Sequence, residues 1–302
     1  MKIVFTTFIL PHEIDDLERI LISLKRASKF IDGRNYQFCI SLGISDYLTD
    51  WNGSKLDKQF IIDKFESLKP LTNWTDNPIF QMREDILGCV SSRRNAHLEI
   101  TDATHFVWLD SDIVFDEQIL FYLENAIVGI EEEGISNYVL TPEIVKIWDN
   151  TWDCLVNENY LDKPLNYHKT NDPYKDSGIK GDVGLESVSL NLPNQPRFKF
   201  AGGWFTCLSG DLLRKTGIPE SFGHYGLEDT YVTECMNIMK SKNDYISQFV
   251  VQNLVIGESY TQRPNETIKQ FIASKNRKAE FTKIANDNFK IELENSSSCI
   301  FV

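Results

Sequence analysis

The sequence predicts an α/β fold in which a mostly parallel central sheet carries helices on both of its faces. Over the first 145 residues, segments rich in β-branched and aromatic residues alternate with segments whose apolar residues recur every three or four positions. One strand-like segment, residues 105–110, is a short continuous apolar run, which is typical of a parallel strand buried on both sides. Because such a sheet binds its ligands beyond the carboxyl ends of its strands, we expect the functional site there.

The predicted elements of the first half alternate in order along the chain. The predicted strands cover residues 2–10, 36–41, 105–110 and 138–141. The predicted helices cover residues 17–30, 55–68, 85–100 and 118–130. Asp85 has the residue type of an N-cap for the third of these helices.

A long polar segment separates this half from the rest of the same domain. Residues 146–197 are rich in Asn, Asp, Lys and Pro and show no sustained periodicity, which is typical of a flexible functional loop or lid. The elements predicted beyond it are a strand at 198–201, a helix from Gly210, a helix at 228–240, a strand at 249–251 and a helix at 264–286. The predicted organisation is a first half at 1–145, a lid at 146–197, a second half at 198–290 and a tail at 291–302.

Composition and charge argue against several functional classes. The formal net charge of −13 repels the phosphate backbone of a nucleic acid, whereas it favours divalent cations. The six cysteines include no C-x-x-C pair, so we expect a reducing compartment and no structural zinc. The apolar run near the start is only about eight residues long, and no apolar stretch approaches the roughly 20 residues of a membrane span. These features predict a cytoplasmic protein.

The strongest single signal for chemistry is the sequence Asp110-Ser111-Asp112, directly after the apolar strand. Two carboxylates at a strand end face an open crevice and offer hard oxygen ligands to Mn²⁺ or Mg²⁺, which in turn neutralises a diphosphate. The alternative is structural, because Asp is also favoured at the N-cap of a helix and a helix follows soon after. The motif alone leaves both interpretations open.

A second group of residues follows the long polar segment. Gly202 and Gly203 let the backbone approach a ligand closely, and Trp204 offers a flat apolar face that can stack on a sugar ring. A bulge beside a core tryptophan is the structural alternative. Glu228 and Asp229 open a helix, where the helix dipole stabilises carboxylates and where an ionised carboxylate can also act as a general base.

Residues 92–112 resemble a block of the GT-A-fold glycosyltransferases, and most closely the large inverting family 2 type. In that family an Arg-Asn pair precedes the first Asp of an Asp-x-Asp motif by a typical spacing. Here Arg94 and Asn95 take the place of that pair, and Asp110 lies fifteen residues after Asn95. The whole resemblance extends over about residues 1–255, although its specific motifs occupy two blocks.

The second block is similar to the Gly-x-Glu-Asp block of galactosyltransferase-like members, in which the Asp is the catalytic base. Asp229 takes that position. The chain departs from the family pattern where residues 41–46 lack the paired Asp that reads the nucleobase, and where His97 replaces a usual Gly. No His follows Asp229, so the third metal ligand that some members draw from downstream is missing.

The resemblance implies a GT-A (Rossmann-like) fold and a metal-dependent transfer, with inversion, from a nucleotide-diphosphate sugar, a UDP-sugar being favoured. It implies that the first half of the chain binds the nucleotide sugar and the second half binds the acceptor. Asp229 would deprotonate the acceptor, Glu228 would orient the acceptor or the helix end, and Asp110 and Asp112 would hold Mn²⁺ or Mg²⁺. The residues assigned to the donor are Thr6, Thr7, Arg94, Asp110, Ser111, Gly202, Gly203 and Trp204.

Two other classes of function compete with this hypothesis. A nucleotidyltransferase also pairs a parallel sheet with carboxylates and a metal, but residues 5–12 have neither the Gly nor the basic residue of its phosphate loop. A non-catalytic carbohydrate-binding protein of the same fold would use Trp204 for stacking and the acids as helix caps. The acceptor stays open among saccharides, lipid-linked sugars, proteins and modified nucleobases of phage-type DNA.

Overall fold

A computed structural model describes residues 1–44, 55–83, 88–111, 113–115, 117–148, 198, 205–242, 245–259 and 282–296. Within these residues eight strands form one sheet: β1 (Ile3–Ile9), β2 (Tyr36–Gly43), β3 (Ile79–Arg83), β4 (His105–Leu109), β5 (Ile113–Phe115), β6 (Tyr138–Trp148), β7 (Phe205–Ser209) and β8 (Ser247–Ser259). The main helices described are α1 (Ile14–Ala27), α2 (Lys58–Ser67), α3 (Cys89–Glu99), α4 (Ile119–Glu132), α5 (Gly210–Thr216), α6 (Glu228–Ser241) and α7 (282–296).

The sheet is mostly parallel, as the sequence predicts. Its strand order is β3-β2-β1-β4-β7-β6-β8-β5. The pairs β2–β3, β1–β2, β1–β4 and β6–β8 are parallel, whereas β7 and β5 run antiparallel to their neighbours. The parallel strands β1 and β4 are in register with Thr7 opposite Leu109, so the residue after Leu109 lies at the carboxyl edge of the sheet.

Helices cover both faces of this sheet, and β4 shows how its side chains divide between them. Val107 and Leu109 point into a core that also contains side chains of α1, α2 and α4. Phe106 and Trp108 point into a second core, with side chains of α3, α5, α6 and α7. This alternation follows from the period of two residues along a strand. The predicted α/β class, with a mostly parallel central sheet and helices on both faces, is confirmed.

Several predicted boundaries are corrected. Helix α3 begins at Cys89 with Gly88 as its N-cap, and residue 85 lies outside the described residues. The strand predicted at 198–201 is wrong at Phe198, which is not in a strand, while 199–201 lie outside the described residues. The strand that follows in the chain is β7, whose five residues are buried and pair with β4 in antiparallel register, on the side of β4 opposite to β1.

The ends of three other predicted segments also differ. Strand β6 continues to Trp148, into the segment predicted as a lid, and residues 149–197 lie outside the described residues. Most of the helix predicted at 264–286 lies outside them too, and the described helix α7 continues to residue 296, past the predicted start of the tail. No helix in the described part of the chain is long and apolar enough to cross a membrane.

Candidate functional site

The candidate site lies at the carboxyl edge of the sheet, where β4 ends. Asp110 directly follows the buried strand, and its side chain is 52% exposed, so its carboxylate is open to a ligand. Ser111 is buried. Asp112, the second acid of the predicted metal pair, lies outside the described residues. Among the residues that are described, no group of three His, Cys, Asp or Glu side chains is arranged to hold a metal ion.

The centre of the site is the buried guanidinium of Arg93, on helix α3. Its Nη1 donates to Oε1 of Glu228 over 2.5 Å, and its Nη2 donates to Oδ1 of Asp110 over 3.4 Å. The guanidinium carbon lies 5.1 Å from the centre of the Trp108 ring, a cation–π distance. One arginine therefore joins the acid at the end of β4 to the acid at the start of α6.

The loop before α6 has an unusual backbone that places Glu228 and Asp229. Gly223 and Gly226 have φ values of 69° and 95°, and Leu227 has a φ of 68°. This left-handed region is uncommon for a leucine and is found at positions that the surrounding structure holds in place. The loop turns sharply here, so that helix α6 begins at Glu228 with its amino end facing Arg93.

Two other helices hold this loop in place. From α3, the amide of Val90 donates to the carbonyl of His224 over 3.0 Å, and Nη1 of Arg94 donates to the carbonyls of Pro219 and Gly223 over 3.2 Å each. These bonds join the loop to the helix that carries Arg93.

Helix α7 supports the loop from the other side. Ser221 donates from its hydroxyl to Glu292 over 2.5 Å, and Nδ2 of Asn288 donates to the carbonyl of Ser221 over 3.0 Å. The rings of Phe222 and Phe289 stack with centres 6.0 Å apart. The loop is therefore packed between α3 and α7.

Asp229 is held by its own helix end. Its Oδ1 accepts hydrogen bonds from the amide and the hydroxyl of Thr230, over 2.6 and 3.3 Å. Its side chain is partly buried, whereas Glu228 is fully buried against Arg93. The helix dipole stabilises a negative charge at this position. Of the two adjacent acids, Asp229 is thus the more exposed one.

The charged groups of the site shift one another's pKa values. Burial raises the pKa of the Glu228 carboxyl above its ordinary value, and Arg93 counteracts part of this shift. Burial alone would lower the pKa of Arg93, but the neighbouring acidic groups, with Glu228 the strongest of them, together outweigh it and the net shift is upward, so the guanidinium stays charged. Asp110 and Asp229 also raise the pKa of Arg93, which places both acids within electrostatic range of it.

Two neutral groups complete this environment. Burial raises the pKa of the Cys89 thiol and of the Tyr225 phenol, and the charge of Glu228 raises both further. The thiol and the phenol are therefore protonated at neutral pH. They surround the Arg93–Glu228 pair without adding charge.

The structure brings three of the site residues predicted from the sequence together: Asp110, Glu228 and Asp229. Thr6 and Thr7 lie within β1 and are 1% and 3% exposed, so they do not face an open crevice here. Gly202, Gly203 and Trp204 lie outside the described residues. Arg94 contacts the loop carbonyls and not Asp110, and its donor role stays a prediction.

The sequence analysis missed Arg93, although the helical pattern contained a signal for it. Val90, Arg93, Ala96 and His97 are buried and recur at helical spacing, whereas Arg94 is only partly buried. Adjacent residues on a helix point about 100° apart, so two neighbouring arginines necessarily serve different surroundings. The apolar neighbours at three- and four-residue spacing identify Arg93 as the inward-facing arginine.

No protein-family model matches the chain, and no curated protein matches it in sequence. Among similar solved structures, TarS from S. aureus has a TM-score of 0.48 and 13% identity, over 98% of this chain and 43% of that chain. TarS 1-349 in complex with UDP gives a TM-score of 0.48 and 13% identity, over 96% of this chain and 72% of that one. The chain therefore spans less than half the length of the first of these proteins.

Proposed function

We propose that this protein is a glycosyltransferase that takes a sugar from a nucleotide-diphosphate sugar and passes it, with inversion, to an acceptor hydroxyl or amine. The observation that carries the proposal is the convergence of Asp110, Glu228 and Asp229 on one buried arginine at the carboxyl edge of the sheet. Open sheets of this type bind ligands at that edge. The resemblance of the two sequence blocks to family 2 enzymes favours a UDP-sugar as the donor.

In this proposal each acid has a separate task. Asp229 is stabilised as an anion by the start of α6 and accepts the proton of the acceptor. The acceptor atom then bonds to the anomeric carbon while the bond from that carbon to the diphosphate oxygen breaks, in a single displacement. Asp110, with its exposed carboxylate, binds the donor. Glu228 is buried against Arg93 and orients the helix end.

A divalent cation fits the exposed oxygen chemistry of Asp110, because Mn²⁺ and Mg²⁺ prefer carboxylate ligands. We propose that Asp110 and Asp112 hold this ion, and that it would neutralise the charge of the departing nucleoside diphosphate. The remaining ligands would be donor oxygens and water, since Mg²⁺ sites commonly use only one or two carboxylates.

The test is a screen of UDP-, GDP-, CMP- and dTDP-sugars for slow hydrolysis and for binding, with Mn²⁺ and with a chelator. We expect the wild-type protein to bind and hydrolyse one donor class only when the ion is present. Asp229→Asn should lower turnover by about 100- to 10,000-fold, because it removes the general base. The donor should bind to this variant as it does to the wild type.

Asp211→Asn is the matched control, since Asp211 is an exposed acid near the start of α5 and remote from Arg93. It should keep wild-type turnover. Binding of a donor without any hydrolysis or transfer would favour the carbohydrate-binding alternative. Failure to bind any of the donors would contradict the proposal.

A further inference from the structure

We propose that Arg93 is the positioning residue of this site, holding Glu228 as a fixed counter-ion and steering Asp110 toward the donor. In this arrangement Asp229 is, of the two acids that open α6, the one left to take the acceptor proton. The inference rests on the proposed function. It assigns to Arg93, and not to its neighbour Arg94, the task of joining the two halves of the site.

The geometry of the two ion pairs differs in a way that suits two tasks. The contact from Arg93 to Glu228 is 2.5 Å long, and both side chains are at most 7% exposed. The contact to Asp110 is 3.4 Å long, and that carboxylate is 52% exposed. Asp110 can therefore turn toward a donor while the inner pair stays intact.

The buried carboxylate of Glu228 depends on Arg93 for a compensating positive charge. The groups that face Glu228 are Cys89 and Arg93 from α3, Tyr225 from the preceding loop and Asp229 from its own helix. Arg93 carries the positive charge in this set. A buried carboxylate that loses its partner is strongly destabilised, because neither water nor another cation replaces it.

Arg93 is also suited to the task by its chemistry. A guanidinium presents several N–H donors in a rigid plane, so that it can bind one carboxylate on each arm. Its guanidinium carbon lies 5.1 Å from the centre of the Trp108 ring, and this contact limits the positions that the two arms can take. A lysine would keep the charge but could not hold both acids in fixed directions.

The test is a double-mutant cycle between Arg93→Met and Glu228→Gln in the full chain. Arg93→Met keeps a side chain that can pack on Trp108 and removes both ion pairs. Turnover and KM are measured with Mn²⁺ and the UDP-sugar that the wild-type protein hydrolyses fastest. Thermal unfolding of each variant shows whether it is folded at the assay temperature.

We expect Arg93→Met to lower kcat by about 100-fold, the size of effect that small misplacements of reacting groups produce. The kcat of the double variant should be no more than about threefold lower than that of Arg93→Met. Both changes disrupt the same ion pair, so their effects are not additive. Arg93→Lys keeps the positive charge, so its kcat should be about tenfold higher than that of Arg93→Met. Arg34→Met, at a side chain that is 88% exposed, is the matched control and should keep wild-type kcat.

The inference is overturned if the losses of the two single variants multiply, or if Arg93→Met keeps wild-type kcat. If Arg93→Met does not fold, the same cycle is measured with Arg93→Lys and Glu228→Gln. The inference is then overturned if the losses in kcat of these two single variants multiply, or if Arg93→Lys keeps wild-type kcat. Absence of hydrolysis for every donor in the wild-type protein is a different result, since it removes the proposed function itself and this inference with it.

Discussion

The two ends of strand β4 carry polar residues that differ in burial and in charge. At its amino end, the buried ring of His105 shares hydrogen bonds with the hydroxyl of Tyr138 over 2.6 Å and with that of Thr104 over 2.9 Å. At its carboxyl end, Asp110 is half exposed and has a long contact with Arg93. Burial lowers the pKa of His105 to about 4, so the ring is neutral, whereas the groups at the other end are charged.

This difference shows how to separate structural from functional polar residues. The groups at the amino end satisfy one another within the protein, as buried polar groups in stable folds do. The groups at the carboxyl end keep an exposed carboxylate next to a buried ion pair, and such perturbed charged groups cluster at functional sites. Changes at the two ends should therefore affect different quantities.

The largest expected effect is at the carboxyl end. Asp110→Asn removes the charged oxygen that we propose as a ligand of the metal ion, and it should weaken binding of UDP in the presence of Mn²⁺ by about 10- to 100-fold. The free energy of unfolding should not decrease, because the side chain is half exposed. Calorimetric titration with UDP measures the first quantity, and urea unfolding measures the second. Unchanged UDP affinity would contradict the proposed role of Asp110 in binding the donor. Asp211→Asn is the control, because Asp211 lies near the amino end of β4, at the opposite edge of the sheet.

The next effect is at the amino end and depends on pH. The unfolded chain protonates His105 near pH 6.5 and the folded chain only near pH 4, so the unfolded state binds more protons between these values and stability falls as the pH is lowered. His105→Gln keeps hydrogen-bonding groups but does not titrate. Relative to this variant, the wild-type protein should lose about 2 kcal/mol of unfolding free energy from pH 6.5 to pH 4.

The measurement is urea unfolding of both proteins across this pH range. Carboxylates titrate in both proteins, so their contribution cancels in the difference. Parallel curves for the two proteins would show that His105 is not held neutral. Turnover at pH 7 should be the same in both, because His105 lies at the far end of the strand from Asp110.

The smallest expected effect compares two glycines with positive φ. Gly217 ends α5 and Gly226 precedes the site, with φ values of 64° and 95°. Alanine at either position should lower the unfolding free energy by about 1 kcal/mol, since side chains disfavour this backbone region. Only Gly226→Ala should also reduce turnover, because it lies two residues before Glu228. Equal turnover in the two variants would argue against a role of this turn in placing the acids.

The sequence predicts those parts of the fold that depend on local patterns. The apolar run at residues 105–109 becomes β4, and the helix expected from Gly210 is α5, capped by the side chain of Ser209. Strand β3 was missed because its residues are only partly buried and show no alternation. Strand β5 was missed because three residues carry too little pattern to be recognised.

In the candidate site, too, some residues could be predicted from local sequence patterns and others could not. Asp110 and Asp229 could be found from motifs, because their positions follow a strand and open a helix. The pairing of Arg93 with Glu228 could not, since these residues are 135 positions apart and meet only through the packing of α3 against the loop before α6. The direction of one arginine among two adjacent ones is decided by tertiary structure, although helical spacing contains a hint of it.

Helix α7 has a further consequence for how the protein can be handled. Its contacts with Ser221 and Phe222 mean that the turn before Glu228 is braced by residues near the far end of the chain. A protein shortened at residue 281 would retain Asp110, Arg93 and both acids of α6 while leaving that turn without its outer support. Cleavage by a protease between β8 and α7, followed by dissociation of α7, should therefore abolish turnover although Asp110, Arg93 and both acids of α6 stay in the protein.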